Sequence, residues 1–297
     1  MTDDPDLPDD PALRTLARAA RVHRTPCGDG HVIWRVWGPD SAPPLLLLHG
    51  GSGSWMHWAR NLGTLQGDGW RLLVPDLPGF GQSAAPDGAE DADAMPQALA
   101  PGLRELAGDD PVPAVTFSFG GLVAACWAQE DARRFSQLVL VGAPALSAGQ
   151  ASLLPLRPWL GIDDRAARDA VHRHNLRQLM LANDASIDAL AVAIHGLNLQ
   201  RDRMRRRRMM RIGALHRMLP TLTLPLHGIW GARDALSTGR EALVEAALRS
   251  APGFQSMTWV PEAGHWLPYE RPHDFHAALR AVLGAAPGSL TAGPSCA

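Results

Sequence analysis

The chain has 297 residues, of which 46% are hydrophobic and 20% charged, and its 30 acidic and 28 basic side chains give a formal net charge of −2. A nearly neutral chain creates no global field that would attract nucleic acid or an anionic membrane. The sequence also has no apolar run near the roughly 20 residues that a membrane-spanning helix requires. These features argue against nucleic-acid-binding, membrane-spanning and disordered proteins, and they predict an ordinary soluble globular protein.

The N-terminal segment and the cysteines both favour a cytoplasmic location. Met1 to Asp10 is acidic and contains proline, unlike the basic and then apolar pattern of a signal peptide. Cys27, Cys126 and Cys296 are far apart and form no CxxC pair, so disulfides and thiolate metal sites are not expected. We expect a monomer or homodimer that needs no metal or other cofactor.

Short apolar segments recur along the chain, and each ends in small or polar residues. They are apolar throughout rather than alternating, which is typical of strands that are buried on both faces of a parallel sheet. The predicted strands cover residues 32–37, 45–48, 71–75, 112–117, 137–141, 226–230 and 256–260.

Helical patterns alternate with these strands at residues 94–106, 120–129, 239–249 and 274–283. This alternation predicts an α/β fold with a mostly parallel, doubly wound sheet.

The alternation stops between residues 146 and 222. Asp163 or Asp164 can cap a helix that runs to Met180, and residues 185–210 predict one or two more helices. We therefore predict that this segment is a helical lid inserted into an α/β core. The core covers residues 13–145 and 223–284, and flexible tails, rich in Asp, Pro, Gly, Ser and Ala, cover residues 1–12 and 285–297.

A serine lies between a predicted strand and a predicted helix in the segment VTFSFGG, residues 115–121. Small residues where the backbone must turn sharply are typical of a nucleophile elbow. Such a turn lifts the hydroxyl of Ser118 clear of the sheet, and the start of the following helix favours negative charge there. Because a serine hydroxyl is a weak nucleophile alone, it requires a histidine base and a carboxylate that orients the histidine.

Candidates for the base and the carboxylate come later in the chain. Asp234 follows one predicted strand, and His265 lies in a loop after the next. The active site of an open α/β sheet lies outside the carboxyl ends of its strands, so Ser118, Asp234 and His265 reach the same edge. We expect these three to be the catalytic residues.

With these motifs the chain resembles enzymes of the α/β-hydrolase fold over residues 32–283. Two further segments contribute: HGGSG at residues 49–53 resembles the family's oxyanion loop, and DLPGFGQS at residues 76–83 resembles the turn after its fourth strand. The resemblance implies that backbone amides of Gly51 and Phe119 form the oxyanion hole, with Ser52 as a further candidate donor.

One position departs from the family's pattern. The elbow usually begins with glycine, where this chain has Thr116. Its branched side chain occupies space where the strand and helix backbones approach closely. We expect Thr116 to affect the geometry of the turn rather than the identity of the nucleophile.

Residues that flank the expected site are candidates for substrate binding. They are Ser52, Trp55 and Trp266, although tryptophans at such spacing often pack in a core.

Seven arginines crowd the predicted lid. Such a cluster could attract an acidic substrate, but successive residues of a helix point about 100° apart and cannot all face one pocket. We expect a solvated helix face, with one or two of the side chains facing inward. The seven are Arg201, Arg203, Arg205, Arg206, Arg207, Arg208 and Arg211.

The sequence thus predicts a metal-independent serine hydrolase, of the carboxylesterase kind, that cleaves a small or medium, partly apolar ester through an acyl-enzyme. One alternative is a hydrolase of carbon–carbon bonds in products of aromatic-ring cleavage. It rests on a likeness in residues 50–53 and 264–266 and on the arginines available to bind a substrate carboxylate. The other alternative is a ligand-binding member of the fold that has no catalytic turnover.

Overall fold

The computed structural model describes residue 4, residues 6–144, residue 146, and residues 154–204 and 206–284. Within these residues eight strands form one sheet in the order β1-β2-β4-β3-β5-β6-β7-β8. Strand β2 is antiparallel to β1 and β4, and the pairs from β4 to β8 are parallel. The strands are β1 Arg21–Cys27, β2 Gly30–Trp37, β3 Pro44–Leu48, β4 Arg71–Pro75, β5 Val112–Phe117, β6 Phe135–Val141, β7 Leu226–Gly231 and β8 Phe254–Val260.

The predicted α/β fold with a mostly parallel, doubly wound sheet is confirmed. The helices are α1 Pro11–Ala19, α2 Leu62–Gly67, α3 Met95–Ala107, α4 Phe119–Asp131, α5 Arg165–Asn175, α6 Ala189–Gln200, α7 Arg208–Arg211, α8 Ala214–Met218, α9 Glu241–Arg249, α10 Leu267–Glu270 and α11 Pro272–Leu283.

The apolar strands divide their side chains between two hydrophobic layers. Along β3, Leu46 and Leu48 pack into one layer, whereas Leu45 and Leu47 pack into the other, and all four are fully buried. This is the two-residue period of a strand that is covered on both faces. The first layer includes α4, whose residues 119–128 are all buried, and the second includes residues of α11.

Sequence patterns identified seven of the eight strands but missed β1. That strand pairs only with β2, so it is an edge strand, and several of its residues are exposed. It also contains Pro26, which a central strand does not accommodate. A polar edge strand has neither the continuous apolar run nor the regular alternation on which the prediction depended.

The described residues between β6 and β7 contain helices α5 to α8 and no strand. Asp164 caps α5 as predicted, with its carboxylate accepting the N–H of Ala167 at 2.8 Å. The helix leaves the α pattern at residue 175, and residues 176–180 form a π-helical turn. The division of the chain into a core and a lid stays a prediction.

The two predicted tails differ from the structure in one respect. Helix α1 begins at Pro11, inside the segment predicted to be flexible, because Asp10 caps it by accepting the N–H of Leu13 at 2.8 Å. The predicted tail at residues 285–297 lies outside the described residues. In the part of the chain that the structure describes, no helix is both long enough and apolar enough to cross a membrane.

Candidate active site

Ser118 occupies a sharp turn between β5 and α4. Its backbone has φ 49° and ψ −118°, a strained conformation for a residue with a side chain. Two backbone hydrogen bonds hold the turn: the N–H of Ser118 donates to the carbonyl of Val141 and the N–H of Gly121 to that of Ser118. A Cβ on Gly120 would lie 2.7 Å from the carbonyl oxygens of Leu48 and His49, so the turn requires glycine there.

Thr116 fits into this elbow within β5. Its side chain is fully buried, and its hydroxyl donates to the carbonyl oxygen of Val139 on the neighbouring strand at 3.2 Å. The Thr116 hydroxyl oxygen lies 3.4 Å from where a Cβ on Gly121 would be, an ordinary contact distance, so the branched side chain fits against the start of α4. The polar atom of Thr116 is therefore satisfied, and the turn forms without glycine at this position.

The structure brings Ser118, His265 and Asp234 together at one edge of the sheet. The Oγ of Ser118 lies 2.9 Å from Nε2 of His265, and Nδ1 of His265 lies 2.8 Å from Oδ2 of Asp234. All three side chains are buried. Because a carboxylate only accepts hydrogen bonds, Nδ1 of His265 donates to Asp234, and its Nε2 is left to accept the serine proton.

The loop that carries His265 is held by residues from two directions. The N–H of Gly264 donates to Oε2 of the buried Glu270 at 2.6 Å, and the N–H of Trp266 donates to the carbonyl of Met180 at 2.7 Å. The same Glu270 carboxylate also accepts backbone N–H groups of Ala182 and Asn183. Glu270 thus ties the histidine loop to the segment after α5.

The glycine-rich loop after β3 lies beside Ser118. A Cβ on Gly50 would approach the Cβ of Ser118 to 3.1 Å, and Ser52 has a φ of 46°. His49 fixes the start of the loop because its Nε2 accepts the N–H of Leu77 at 2.8 Å. Burial lowers the pKa of His49 to about 4, which keeps this imidazole neutral at pH 7. The first N–H groups of α4, including that of Phe119, have no acceptor within the helix.

An arginine from the 146–222 segment closes over this loop. A Cβ on Gly51 would lie 2.2 Å from Nη1 of Arg207, and Nη2 of Arg207 donates to Oγ of Ser52 at 2.8 Å. The Arg207 guanidinium also bonds the carboxylate of Asp202, which accepts the hydroxyl of Ser52 at 2.6 Å. The charge of Arg207 is therefore balanced within the protein.

The predicted arginine-rich helix is wrong, whereas the expectation that one or two of its arginines face inward is confirmed by Arg207, which lines the cavity. Residues 202–204, 206 and 207 adopt no helix, and helix α7 holds only four residues. Arg201 binds Asp4 through two hydrogen bonds, Arg203 donates to backbone carbonyls, and Arg206 pairs with Glu90. Each of these side chains has its own partner in a different part of the chain. Arg205 lies outside the described residues.

A cavity of about 550 Å³ opens over Ser118 and His265. Most of its wall is apolar, a composition typical of small-molecule sites. The side chains of both the sheet edge and the 146–222 segment contribute, and they include Ser52, His57, Phe117, Leu154, Leu156, Arg157, Trp159, Asn175, Leu179, Met180, His195, Leu199, Arg207, Met210 and Leu236.

Two predicted substrate-binding residues do not line this cavity. Trp55 is 2% exposed and packs against Trp37, with ring centroids 5.6 Å apart. Trp266 is 1% exposed, stacks on Tyr269 at 4.1 Å and donates its indole N–H to the carbonyl of His57. The correction has a physical reason, since both rings are large apolar surfaces that fill the layer under the site. Of the three candidates, Ser52 alone lines the cavity.

Sequence patterns missed several side chains that shape the site. Glu270 is close in sequence to His265, but its burial and its hydrogen bonds are visible only in the structure. Asp202 and His195 had no local signal, since only the fold brings them to residues far away in the chain. Their contribution could be recognised only from the three-dimensional arrangement.

Curated relatives are hydrolases. The 2-hydroxy-6-oxo-6-phenylhexa-2,4-dienoate hydrolase of Burkholderia cepacia is 28% identical over 139 residues, which cover 46% of this chain and 44% of that protein. This alignment therefore spans less than half the length of the relative. A 2-hydroxy-6-oxononadienedioate/2-hydroxy-6-oxononatrienedioate hydrolase of Klebsiella pneumoniae is 24% identical over 289 residues, 91% of this chain and 93% of that protein.

Solved structures and a family profile agree on the fold. The esterase RhEst1 from Rhodococcus sp. ECU1013 superposes with a TM-score of 0.73 at 22% identity, over 90% of this chain and 99% of that one. The profile of the alpha/beta hydrolase fold matches residues 43–212, more than half of the sequence. The resemblance found in the sequence motifs is thereby confirmed, and the chain belongs to the alpha/beta hydrolase fold family.

Proposed function

We propose that this protein is a serine hydrolase that cleaves a small or medium, partly apolar carboxylic ester through an acyl-enzyme. The observation that carries the proposal is the pair of contacts Ser118 Oγ to His265 Nε2 at 2.9 Å and His265 Nδ1 to Asp234 Oδ2 at 2.8 Å. Both contacts lie within the reach that proton transfer requires, and Ser118 and His265 face the same cavity.

In the proposed reaction His265 takes the proton of Ser118 as Oγ attacks the ester carbonyl carbon. The imidazolium that forms is stabilised by Asp234, and it then protonates the leaving alcohol as the carbon–oxygen bond breaks. Water enters, gives a proton to His265 and attacks the acyl carbon, and Ser118 recovers its proton as the carboxylic acid leaves. Proton and oxygen thus balance over the two steps, and the products are one alcohol and one acid.

Negative charge develops on the carbonyl oxygen during both steps. We assign its stabilisation to the backbone N–H groups of Gly51 and Phe119, since one lies in the loop beside Ser118 and the other begins α4. The start of that helix adds a favourable dipole. Loss of one such donor typically raises the barrier by about 3 kcal/mol.

The cavity supports an uncharged, partly apolar substrate. Its volume of about 550 Å³ lies in the range of small-molecule sites, and leucine, methionine and aromatic side chains dominate its wall. The part of the 146–222 segment that lines it, between residues 154 and 210, covers the side opposite the sheet, and we propose that this segment acts as a lid.

A second candidate function is the hydrolysis of a carbon–carbon bond in a ring-cleavage product. It is supported by the names of the curated relatives from Burkholderia cepacia and Klebsiella pneumoniae. Arg207 adds little support, because it is already paired with Asp202, which leaves Arg157, among the described residues, as the lining arginine that could meet a substrate carboxylate.

A fluorophosphonate probe and p-nitrophenyl butanoate test the proposal. We expect labelling of Ser118 and release of p-nitrophenol, both lost in Ser118→Ala, whereas Ser256→Ala, which alters a serine on β8 outside the cavity, retains both. Full activity of Ser118→Ala would contradict the proposal. Faster turnover of a ring-cleavage dienone than of any ester would favour the second candidate. A folded protein that neither reacts nor hydrolyses would be a ligand-binding member of the family.

A further inference from the structure

Two histidines line the cavity without a part in the proposed reaction. His57 belongs to the 3₁₀ turn Trp55–Trp58 that follows the glycine-rich loop, and His195 belongs to α6. One comes from the core and the other from the 146–222 segment, yet they are close enough that His195 contributes to the electrostatic environment of His57. Both therefore face any molecule that enters.

The proton of His57 has a defined place. Its Nδ1 accepts the backbone N–H of Gly50 at 3.2 Å, so the neutral ring carries its proton on Nε2. Burial, together with the neighbouring histidines, holds the pKa of His57 well below its ordinary value. No described residue bonds Nε2, and His57 lines the cavity. The wall of the cavity thus presents an uncharged N–H donor.

His195 is without a hydrogen-bond partner among the described residues. Its Nε2 is buried and unbonded, next to the ring of His172, which meets it edge-on at 5.3 Å between centroids. No described residue bonds its Nδ1 either, and the residue lines the cavity. Burial lowers the pKa of His195 to about 3, and the ring is uncharged at pH 7. Polar groups in such a position are normally satisfied by a partner.

Charges around the two histidines are few. Among the described residues no carboxylate lines the cavity. Arg207 is occupied by Asp202 and Ser52, and another lining arginine, Arg157, is an exposed residue. The two histidines themselves present neutral imidazoles, which suit a hydroxyl or a carbonyl better than an anionic group.

We propose that His57 and His195 form a polar subsite that binds an uncharged hydroxyl or carbonyl group of the substrate, separate from the ester bond that is cleaved. This inference rests on the proposed function and deepens it. The substrate class is an uncharged ester that carries a second oxygen function on its acyl or its alcohol side. Such a group satisfies nitrogens that a purely hydrocarbon chain would leave unbonded.

Matched esters test the subsite by kcat/KM. For a hydroxyl on the acyl side, p-nitrophenyl 3-hydroxybutanoate is compared with p-nitrophenyl butanoate. For a hydroxyl on the alcohol side, 2-hydroxypropyl butanoate is compared with propyl butanoate. We expect the hydroxylated member of at least one pair to react about tenfold faster or more. The charged p-nitrophenyl hemisuccinate should be slower than the neutral hydroxy ester. Equal rates within both pairs would overturn the subsite.

Variants show whether the histidines cause the preference. His195→Phe keeps an aromatic ring but removes both nitrogens, so the preference should fall to about threefold or less, and His195→Gln should restore part of it. The matched control is His172→Leu, which removes an imidazole that packs against His195 and Trp159 but does not itself line the cavity. An unchanged preference in both His195→Phe and His57→Phe would overturn the proposal.

A binding measurement separates this proposal from the proposed function. N-propyl butanamide, and butanamides with a hydroxyl on the acyl or the amine side, are titrated into Ser118→Ala by calorimetry, which requires no turnover. We expect one hydroxylated amide to bind about tenfold more tightly than the plain amide. Equal affinities for the plain and the hydroxylated amides would contradict the subsite even if esters are hydrolysed. Tighter binding of a hydroxylated amide would support the subsite even if fluorophosphonate labelling fails.

Discussion

The sheet and the 146–222 segment hold their parts of the site in different ways. Ser118, Asp234 and His265 each follow a strand, and the hydrogen bonds of the sheet determine where those strands end. Arg207 has no such support, because its backbone is irregular and its place depends on contacts with Asp202 and Ser52. The comparison shows that one edge of a sheet can place reacting groups by regular structure, whereas the covering segment relies on individual side-chain pairs.

Two buried Arg–Asp pairs make this difference measurable. In the core, Arg35 donates to Asp76 at 3.1 Å, and the same carboxylate accepts the backbone N–H of Trp55 at 2.9 Å. In the covering segment, Arg207 and Asp202 bond each other and Ser52. The first pair joins elements of the core to one another, while the second joins the segment to the loop beside Ser118.

The largest expected effect is at the sheet edge. Asp234→Asn retains the size of the side chain but cannot accept the Nδ1 proton of His265 as a carboxylate does. We expect kcat to fall by about 10³- to 10⁴-fold, with the fold intact. Ester hydrolysis and circular dichroism measure the two effects. A loss below about tenfold would mean that Asp234 does not orient the proposed base.

The second largest effect is expected from breaking the pair between Arg35 and Asp76. Asp76→Asn leaves the charge of Arg35 buried without its counter-ion, and we expect the free energy of unfolding to fall by about 3 kcal/mol. Urea denaturation measures this change. Glu90→Gln is the matched control, because it breaks an exposed pair with Arg206 and should cost under about 0.5 kcal/mol. Equal losses of unfolding free energy in Asp76→Asn and Glu90→Gln would mean that burial does not determine how much the Arg35–Asp76 pair contributes to stability.

The sequence predicted the core well because its signals are local. Continuous apolar runs such as residues 45–48 can be recognised without knowledge of the fold, and a serine or histidine placed just after such a run falls at the sheet edge. The elbow, Asp234 and His265 were found in this way. Predictions failed where partners are distant in the chain: the indole N–H of Trp266 donates to the carbonyl of His57 beneath the cavity, and Arg206 leaves the expected helix to pair with Glu90.

Breaking the second pair should change activity more than global stability. In Arg207→Met the hydroxyl of Ser52 loses its donor and the glycine-rich loop loses the guanidinium that covers Gly51. We expect kcat for p-nitrophenyl butanoate to fall about tenfold, equivalent to about 1.4 kcal/mol, with a smaller change in KM.

The double variant Asp202→Asn/Arg207→Met distinguishes positioning from charge. Removal of both charges leaves no uncompensated ion, so stability should recover relative to either single variant, whereas kcat should stay low. Recovery of kcat together with stability would show that the pair supports the fold alone. A loss confined to anionic esters would instead make Arg207 a substrate-binding residue.

The smallest effect concerns pH and involves both regions, since His49 lies in the loop after β3 and His195 on α6. Burial lowers their pKa values to about 4 and about 3, while an unfolded histidine titrates near 6.5. When the pH is lowered from 7 to 5.5, the unfolded chain therefore takes up protons that the folded chain does not. The free energy of unfolding then decreases by about 1 kcal/mol for each such residue. Urea denaturation of His195→Phe should show a pH-dependent loss of unfolding free energy smaller by about that amount than in the wild type. An equal loss in the wild type and His195→Phe would mean that His195 takes up its proton in the folded state, and the cavity would then present a charged imidazole under mildly acidic conditions.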